Sequence, residues 1–161
     1  MKVLKFGGTS VGSAESVLRV KEIVESQREP VVVVVSALGG VTDRLLKTAR
    51  TAAAGDEDYY NAYNEIAGRH NAMVRDAVPP ERREAVQEQV TSLLDDLGNI
   101  FRGVFLIRDL SPKTTDIVLS YGERLSSIIV SGVIAGSTLF DARTFVKTHP
   151  YFNKHIVDFD L

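Results

Sequence analysis

The chain opens with a short apolar run, continues with a helical pattern and then returns to an apolar run. Residues 1–6 predict a strand, in which successive side chains point to opposite faces. From about Ser13 to Gln27 the apolar residues recur at helical spacing, and Pro30 ends the predicted helix. The unbroken valine run at 31–35 predicts a strand that is covered on both faces, as in a parallel sheet. The order strand, helix, strand predicts a βαβ unit with a right-handed crossover.

The pattern from about residue 42 to residue 108 is helical almost throughout. Gly55 and Asp56 separate the first helical segment from a second, and Pro79 with Pro80 separates the second from a third. The last two segments predict an αα-hairpin that packs on the sheet, because their repeat is too short and too interrupted for a coiled coil.

The region after the predicted hairpin contains a further helix start and several breaks. Ser111 followed by Pro112 is typical of a helix N-terminus, where serine caps and proline fits the first turn. Tyr121 and Gly122 predict an interruption, so that Glu123 opens a new helix that ends near residue 136. Two short extended segments are then predicted, at 138–141 and at about 143–147.

Composition narrows the class of protein. The 161 residues are 44% hydrophobic and 25% charged, which supports a packed core and argues against disorder. A net charge of −2 gives no reason to expect nucleic-acid binding. The absence of cysteine excludes disulfide scaffolds and Cys-ligated metal centres, and it fits a cytoplasmic protein. The uncharged stretch at 125–140 is shorter and more polar than the ~20 apolar residues of a spanning helix, so no membrane partner is expected.

Two loops of small residues follow the two predicted strands, and parallel strands would place both loops at one edge of the sheet. Their candidate residues are Gly7, Gly8 and Ser10 in the first loop, and Ser36, Ala37 and Thr42 in the second. Glycines let backbone N–H groups approach an anion, and a helix N-terminus adds a positive dipole. Lys5 would direct an ammonium group to the same place. The pattern indicates a phosphate site, although tight turns and a solvated lysine would explain the same residues.

Standard nucleotide and catalytic motifs do not match this chain. The glycines at 7–12 are not spaced as G-x-G-x-x-G, and no G-x-x-x-x-G-K-[ST] occurs. His70 lies on an apolar helical stripe and reads as a core histidine, while His149 and His155 lack metal-ligand spacing. Glu123 alone reads as an acid that the helix dipole favours. The residues by themselves therefore leave the reaction open.

Three segments, taken in order, resemble the N-terminal motifs of the aspartate kinases, which are members of the amino acid kinase family. They are KFGGTSV at 5–11, VSALGGVTD at 35–43 and GERLS at 122–126. The helical region between the second and third motifs, together with FDAR at 140–143, is similar to the kinase end of bifunctional aspartokinase–homoserine dehydrogenases. The resemblance implies an α/β fold, a three-layer α/β/α sandwich with a mainly parallel sheet and an inserted helical hairpin at about 57–108.

The resemblance also implies a reaction and roles for residues. Enzymes of this kind transfer the γ-phosphoryl group of ATP, with Mg²⁺, to the side-chain carboxylate of L-aspartate, as the first step towards lysine, threonine and methionine. The implied catalytic residue is Lys5, no metal ligand is assigned, and a homo-oligomer is implied. The implied phosphate contacts are Lys5, Phe6, Gly7, Gly8, Ser10, Ser36 and Ala37, and the implied aspartate contacts are Thr42 and Glu123.

The resemblance covers essentially all of residues 1–161 but only part of the family's catalytic domain. An Arg-Gly-Gly-Ser-Asp-type segment and a Thr-Asp-Val-Asp-Gly segment, both family motifs, do not occur here. We therefore expect an N-terminal portion of a kinase domain that is inactive by itself. Two alternatives stay open: another amino acid kinase, acting on glutamate, acetylglutamate, carbamate or UMP, or a non-catalytic binding or assembly module.

Overall fold

The computed structural model describes residues 1–151 and 154–158. Within this part of the chain, five long helices accompany two separate two-stranded sheets. The elements in chain order are β1 (Lys2–Phe6), α1 (Ala14–Glu25), β2 (Val31–Val35), α2 (Val41–Ala53), α3 (Tyr59–Ala77), α4 (Pro80–Ile107), α5 (Pro112–Val133), a 3₁₀ turn (Ala142–Thr144), β3 (Thr148–Tyr151) and β4 (Lys154–Val157).

The predicted βαβ unit is present. Strands β1 and β2 pair in parallel, with Lys2 opposite Val31 and Phe6 opposite Val35. Helix α1 connects them, and the residue directly before it, Ser13, is its N-cap, with a hydroxyl that accepts the Ser16 N–H over 3.2 Å. The parallel pair sends both strand ends, and hence both following loops, to the same edge.

The β1–β2 sheet is covered on only one face by the described residues. Val31, Val33 and Val35 pack partly buried against the core, whereas Val32 and Val34 on the opposite face are 45% and 43% exposed. The valine run predicted cover on both faces, and that expectation is wrong for this part of the chain. Side chains alternate along a strand, and the described helices lie against one side of it.

The predicted αα-hairpin is formed by α3 and α4. Tyr59 of α3 lies 5.0 Å from Phe105 of α4 between ring centroids, and Tyr63 lies 6.2 Å from Phe101 in an edge-to-face arrangement. The hairpin packs mainly on α2 and α5, not on the sheet as the pattern suggested. The apolar stripes of these helices face one another, and this shared core contains fully buried residues from each of them, namely Leu45, Ile66, Leu97, Phe101, Leu125 and Ile129.

Helix α5 runs through Tyr121 and Gly122 without a break, so the predicted interruption there is wrong. Gly122 is buried, and a Cβ atom built on it would lie 2.8 Å from the Ala37 Cβ and 3.3 Å from Leu45 Cδ1. The glycine therefore serves a close approach between elements instead of ending a helix. Consequently Glu123 lies in the middle of α5 and not at a helix N-terminus.

The prediction of two extended segments, at 138–141 and at about 143–147, is also wrong. Residues 137–141 are irregular, and Ala142–Thr144 forms a 3₁₀ turn. The Asp141 carboxylate accepts the Arg143 backbone N–H over 3.0 Å and its guanidinium, and this local turn replaces a strand. The same Arg143 guanidinium lowers the pKa of Asp141 to about 2, and Arg124 adds to this shift. Strands β3 and β4 follow as an antiparallel pair.

Burial alters the protonation of His70 in α3. The residue is 0% exposed, and its Nδ1–H donates to the Ile66 carbonyl oxygen over 2.8 Å. Its Nε2 has no hydrogen-bond partner among the residues that the structure describes. Burial lowers the pKa of His70 below the usual 6.5, because the charged ring would lose its hydration, and this outweighs the opposing effect of the Ile66 carbonyl.

We expect acid to destabilise the chain through His70. Below pH 6.5 the unfolded state binds a proton that the folded state does not, so the free energy of unfolding falls as the pH drops towards the folded pKa. The loss is at most about 1.4 kcal/mol per pH unit. Urea unfolding at about pH 7.5 and about pH 5.5 measures it, and the wild type should lose more stability than His70→Leu. A change at the exposed His149, His149→Gln, should keep the wild-type loss; an equal loss in His70→Leu would contradict the prediction.

Candidate functional site

The loop after β1 folds as two consecutive tight turns. The Ser10 N–H donates to the Gly7 carbonyl oxygen over 2.9 Å, and the Gly12 N–H donates to the Thr9 carbonyl oxygen over 3.4 Å. Lys5, at the end of β1, is exposed, whereas Phe6 packs partly buried against the core. A Cβ built on Gly7 would meet no atom within 4 Å, so the backbone there faces open space.

The loop after β2 leads directly into α2. The Ser36 N–H donates to the Phe6 carbonyl oxygen over 3.1 Å and prolongs the strand pairing by one residue. Ala37 is 3% exposed and anchors the loop in the core. Gly40 is the N-cap of α2, with a φ of +77° and no side-chain cap, so glycine suits this left-handed position and leaves the helix N-terminus open. Thr42 is exposed in the first turn of α2.

The two loops touch through their glycines. A Cβ on Gly8 would lie 3.1 Å from the Ala37 carbonyl oxygen and 3.3 Å from the Gly39 Cα. A Cβ on Gly39 would lie 3.1 Å from the Gly8 carbonyl oxygen. Most side chains are too large for this approach, so the paired glycines give the loops one shared backbone surface.

The third motif adjoins the second loop. The contact between Gly122 and Ala37 brings α5 against this loop, and the next residue, Glu123, is exposed. Lys5, Thr42 and Glu123 are all exposed, and in the described part of the chain none of their side chains makes a hydrogen bond or ion pair with another residue. Their polar groups are therefore available to a ligand.

Arg69 of α3 contacts both loops of the candidate site, and the sequence pattern does not indicate this. Its Nη1 donates to the Gly39 carbonyl oxygen over 2.6 Å, and its Nη2 donates to the Gly12 carbonyl oxygen over 3.1 Å. An arginine on an amphipathic helix usually reads as a solvated residue, and its partners lie 30 and 57 residues away in sequence. No local signal could have identified it.

The segment at 140–143 lies near the third motif. The Arg124 guanidinium carbon stands 4.5 Å from the centroid of the Tyr121 ring, a cation–π arrangement. The same Arg124 contributes to the low pKa of Asp141. Two segments that are similar to one family in sequence are thus neighbours in space.

The remaining chemistry of the described residues is limited. Across 1–151 and 154–158, no group of three or more His, Cys, Asp or Glu side chains is arranged to hold a metal ion. No helix in this part of the chain has the length and apolar character needed to cross a membrane.

The geometry is that of an α/β protein with glycine loops, a lysine and a helix N-terminus gathered at the carboxyl edge of a parallel strand pair. The chain belongs to the amino acid kinase family, whose profile matches residues 1–143.

Known relatives agree with this assignment. The chain is 29% identical over 153 residues to the chloroplastic bifunctional aspartokinase/homoserine dehydrogenase 2 of Arabidopsis thaliana, a match that covers 92% of this chain and 17% of the relative. It is 29% identical over 133 residues to the chloroplastic aspartokinase 2 of the same plant, covering 82% of this chain and 24% of the relative.

A solved structure supports the fold. E. coli aspartokinase III, in a complex with aspartate and ADP, superposes with a TM-score of 0.85 and 26% identity, covering 98% of this chain and 35% of that one. The resemblance to aspartate kinases and the α/β fold class inferred from the sequence are both confirmed. The chain therefore spans about a third, or less, of the length of these relatives.

Proposed function

We propose that this chain is the N-terminal portion of the kinase domain of an aspartate kinase. The parent enzyme would transfer the γ-phosphoryl group of ATP to the side-chain carboxylate of L-aspartate and form 4-phospho-L-aspartate. The observation that carries the proposal is the contact between Gly8 and Gly39, which brings the two loops together next to the strand that carries the exposed Lys5. Gly122 packs on the second of these loops. Aspartokinases among the relatives, and the aspartate and ADP named for the E. coli structure, support the choice of substrates.

Phosphoryl transfer demands positioning and charge stabilisation more than covalent chemistry from the protein. The Lys5 ammonium would offset negative charge on the transferring group. Backbone N–H groups of Gly7 and Gly8 would cradle the phosphates, beside Phe6 and with Ser10 lining the loop. Ser36 and Ala37 would border the phosphoryl group from the second loop. No base is needed, because the acceptor carboxylate is already ionised and nucleophilic at neutral pH.

The acceptor would lie between α2 and α5. Thr42 would form a hydrogen bond with L-aspartate, and Glu123 would pair with its α-amino group. Both side chains are exposed and lack a described protein partner, as this role requires.

In this proposal Mg²⁺ would bind only together with the ATP phosphates. The described residues contain no cluster of three or more potential ligands for it, so we derive no step through the metal.

The wider setting extends the same proposal. The helical hairpin, predicted at about 57–108 and observed from Tyr59 to Ile107, would be an insert in the kinase domain. The parent would be a cytoplasmic homo-oligomer in lysine, threonine and methionine biosynthesis, and a homoserine dehydrogenase domain would make it bifunctional. The Arabidopsis relative is a bifunctional aspartokinase/homoserine dehydrogenase and is chloroplastic. Cell fractionation of the parent therefore tests the proposed cytoplasmic location.

We expect the parent enzyme to release ADP from ATP–Mg²⁺ in the presence of L-aspartate, and the 161-residue chain to be inactive. The reason for inactivity is that two family motifs do not occur in the chain, including one associated with the nucleotide pocket. A coupled ADP-release assay measures both proteins, with a Lys5→Ala variant of each as the blank. Turnover by the chain above its blank would refute the predicted inactivity. A parent protein without turnover would refute the proposed aspartate kinase activity.

The same assay with a substrate panel separates the alternatives. Glutamate, acetylglutamate, carbamate and UMP replace L-aspartate in turn, and preference for any of them would move the protein to another branch of the family. Calorimetry with ATP–Mg²⁺ addresses the non-catalytic module, because a parent that binds no nucleotide would favour it.

A further inference from the structure

We propose that Arg69 is a positioning residue that clamps the two glycine loops at the spacing that the nucleotide phosphates require. The inference rests on the function proposed above and adds to it a residue outside the three motifs. Arg69 comes from the inserted hairpin and lies in neither loop, yet one guanidinium reaches a carbonyl oxygen in each.

The clamp has no equivalent elsewhere between the loops. Gly8 and Gly39 meet only through van der Waals contact, and the turns of the first loop are closed by hydrogen bonds within it. Within residues 1–151 and 154–158, no direct hydrogen bond joins 7–12 to 37–40. The planar fork of arginine can hold two carbonyl oxygens at once, which a single ammonium group on a flexible stem does less well.

The two carbonyl groups that Arg69 holds have equivalent positions. Gly12 directly precedes Ser13, the N-cap of α1, and Gly39 directly precedes Gly40, the N-cap of α2. In a trans peptide unit the C=O and N–H bonds point in opposite directions. Arg69 therefore orients the peptide units that introduce both helices, and it fixes the positive ends of two helix dipoles relative to each other.

A second arginine of the hairpin provides a matched control. Arg82 of α4 also donates from its guanidinium to two backbone carbonyl oxygens, those of Gly132 and Ile134, at 3.2 and 3.0 Å. These carbonyl groups lie at the end of α5 and belong to neither glycine loop. Arg82→Ala therefore removes a comparable structural contact without touching the clamp.

The test uses the parent enzyme and four proteins: wild type, Arg69→Ala, Arg69→Lys and Arg82→Ala. We expect Arg69→Ala to raise the Kd of ADP and the KM of ATP by about tenfold or more, a size consistent with the loss of one charged hydrogen-bonded fork. Arg69→Lys should recover only part of this loss. Arg82→Ala should keep ADP affinity within about twofold, even where it lowers the melting temperature.

Hydrogen exchange without nucleotide gives an independent measurement. Backbone amides at 7–13 and 37–41 should exchange faster in Arg69→Ala than in wild type, while Arg82→Ala should leave them unchanged. The clamp would be overturned if the amides of both loops exchanged equally fast in Arg69→Ala and wild type, or if the wild type bound ADP and Arg69→Ala bound it equally well. If Arg69→Ala does not fold, Arg69→Lys takes its place, and wild-type affinity and exchange in that variant would likewise overturn it.

The two proposals fail in different ways. A wild type that binds no nucleotide, with exchange that is faster only in the Arg69 variants, would remove the kinase function and leave the structural clamp. A wild type that binds ADP no better than Arg69→Ala would leave the kinase function and remove the clamp.

Discussion

Lys5→Ala is expected to lower the kcat of the parent enzyme by about 100- to 1,000-fold, the loss typical of removing one group that stabilises transition-state charge. The side chain is exposed at the end of β1 and has no described protein partner, so its loss should not disturb folding. An interaction made only in the transition state affects kcat more than KM. The coupled ADP-release assay under saturating ATP and L-aspartate measures the change.

The same strand supplies the control for this experiment. Lys2 lies at the other end of β1, where its Nζ is 3.3 Å from the Glu29 carboxylate. This surface ion pair should contribute little to the stability of the fold. Lys2→Ala is expected to leave kcat unchanged. A Lys5→Ala enzyme with nearly full kcat would show that Lys5 is only a solvated lysine at a strand end.

Gly122→Val is expected to destabilise the chain by about 1–3 kcal/mol, because it adds volume to a packed helix surface. The nearest atom to a new Cβ is the Ala37 Cβ at 2.8 Å, so relief requires α5 or the second loop to move. Urea unfolding measures the loss of stability. In the parent enzyme the affinity for ADP should fall as well, since Ala37 belongs to the proposed phosphate contacts.

A second helical glycine shows whether this effect is local. Gly68 of α3 is exposed, and a Cβ built on it would meet no atom within 4 Å. Gly68→Ala should therefore stabilise the chain by up to about 1 kcal/mol through helix propensity alone. Stabilisation by Gly122→Ala as well would rule out the close approach of α5 to the loop.

Local signals were sufficient for the βαβ unit and for the glycine loops. The valine run of β2, the apolar periodicity of α1 and the small residues after each strand all act within a short stretch of chain, so their consequences can be worked out from the chain itself. Parallel pairing then brings the two loops to one edge, and the contact between Gly8 and Gly39 agrees with that prediction.

The remaining differences from the sequence predictions come from contacts between distant parts of the chain at Gly122 and Arg69, and from a local turn at Asp141. Tyr121 and Gly122 predict a break in the helix, but in α5 the absence of a side chain on Gly122 leaves room for Ala37 of the second loop. The sequence at 138–141 predicts a strand, yet a strand needs a pairing partner, and Asp141 instead forms a local turn with Arg143. The sequence pattern does not identify Arg69, because both of its partners become its neighbours only in the folded chain.

The rotation of α3 about its own axis is fixed by two neighbouring residues whose side chains must point in different directions. His70 must face the core, where it is fully buried, while Arg69 must reach the loops. One residue inserted between Tyr59 and Gly68 would rotate everything after it by about 100° relative to the start of the helix. Such an insertion would move the imidazole out of the core and the guanidinium away from the loops together. The first half of this helix is therefore expected not to tolerate a change of length.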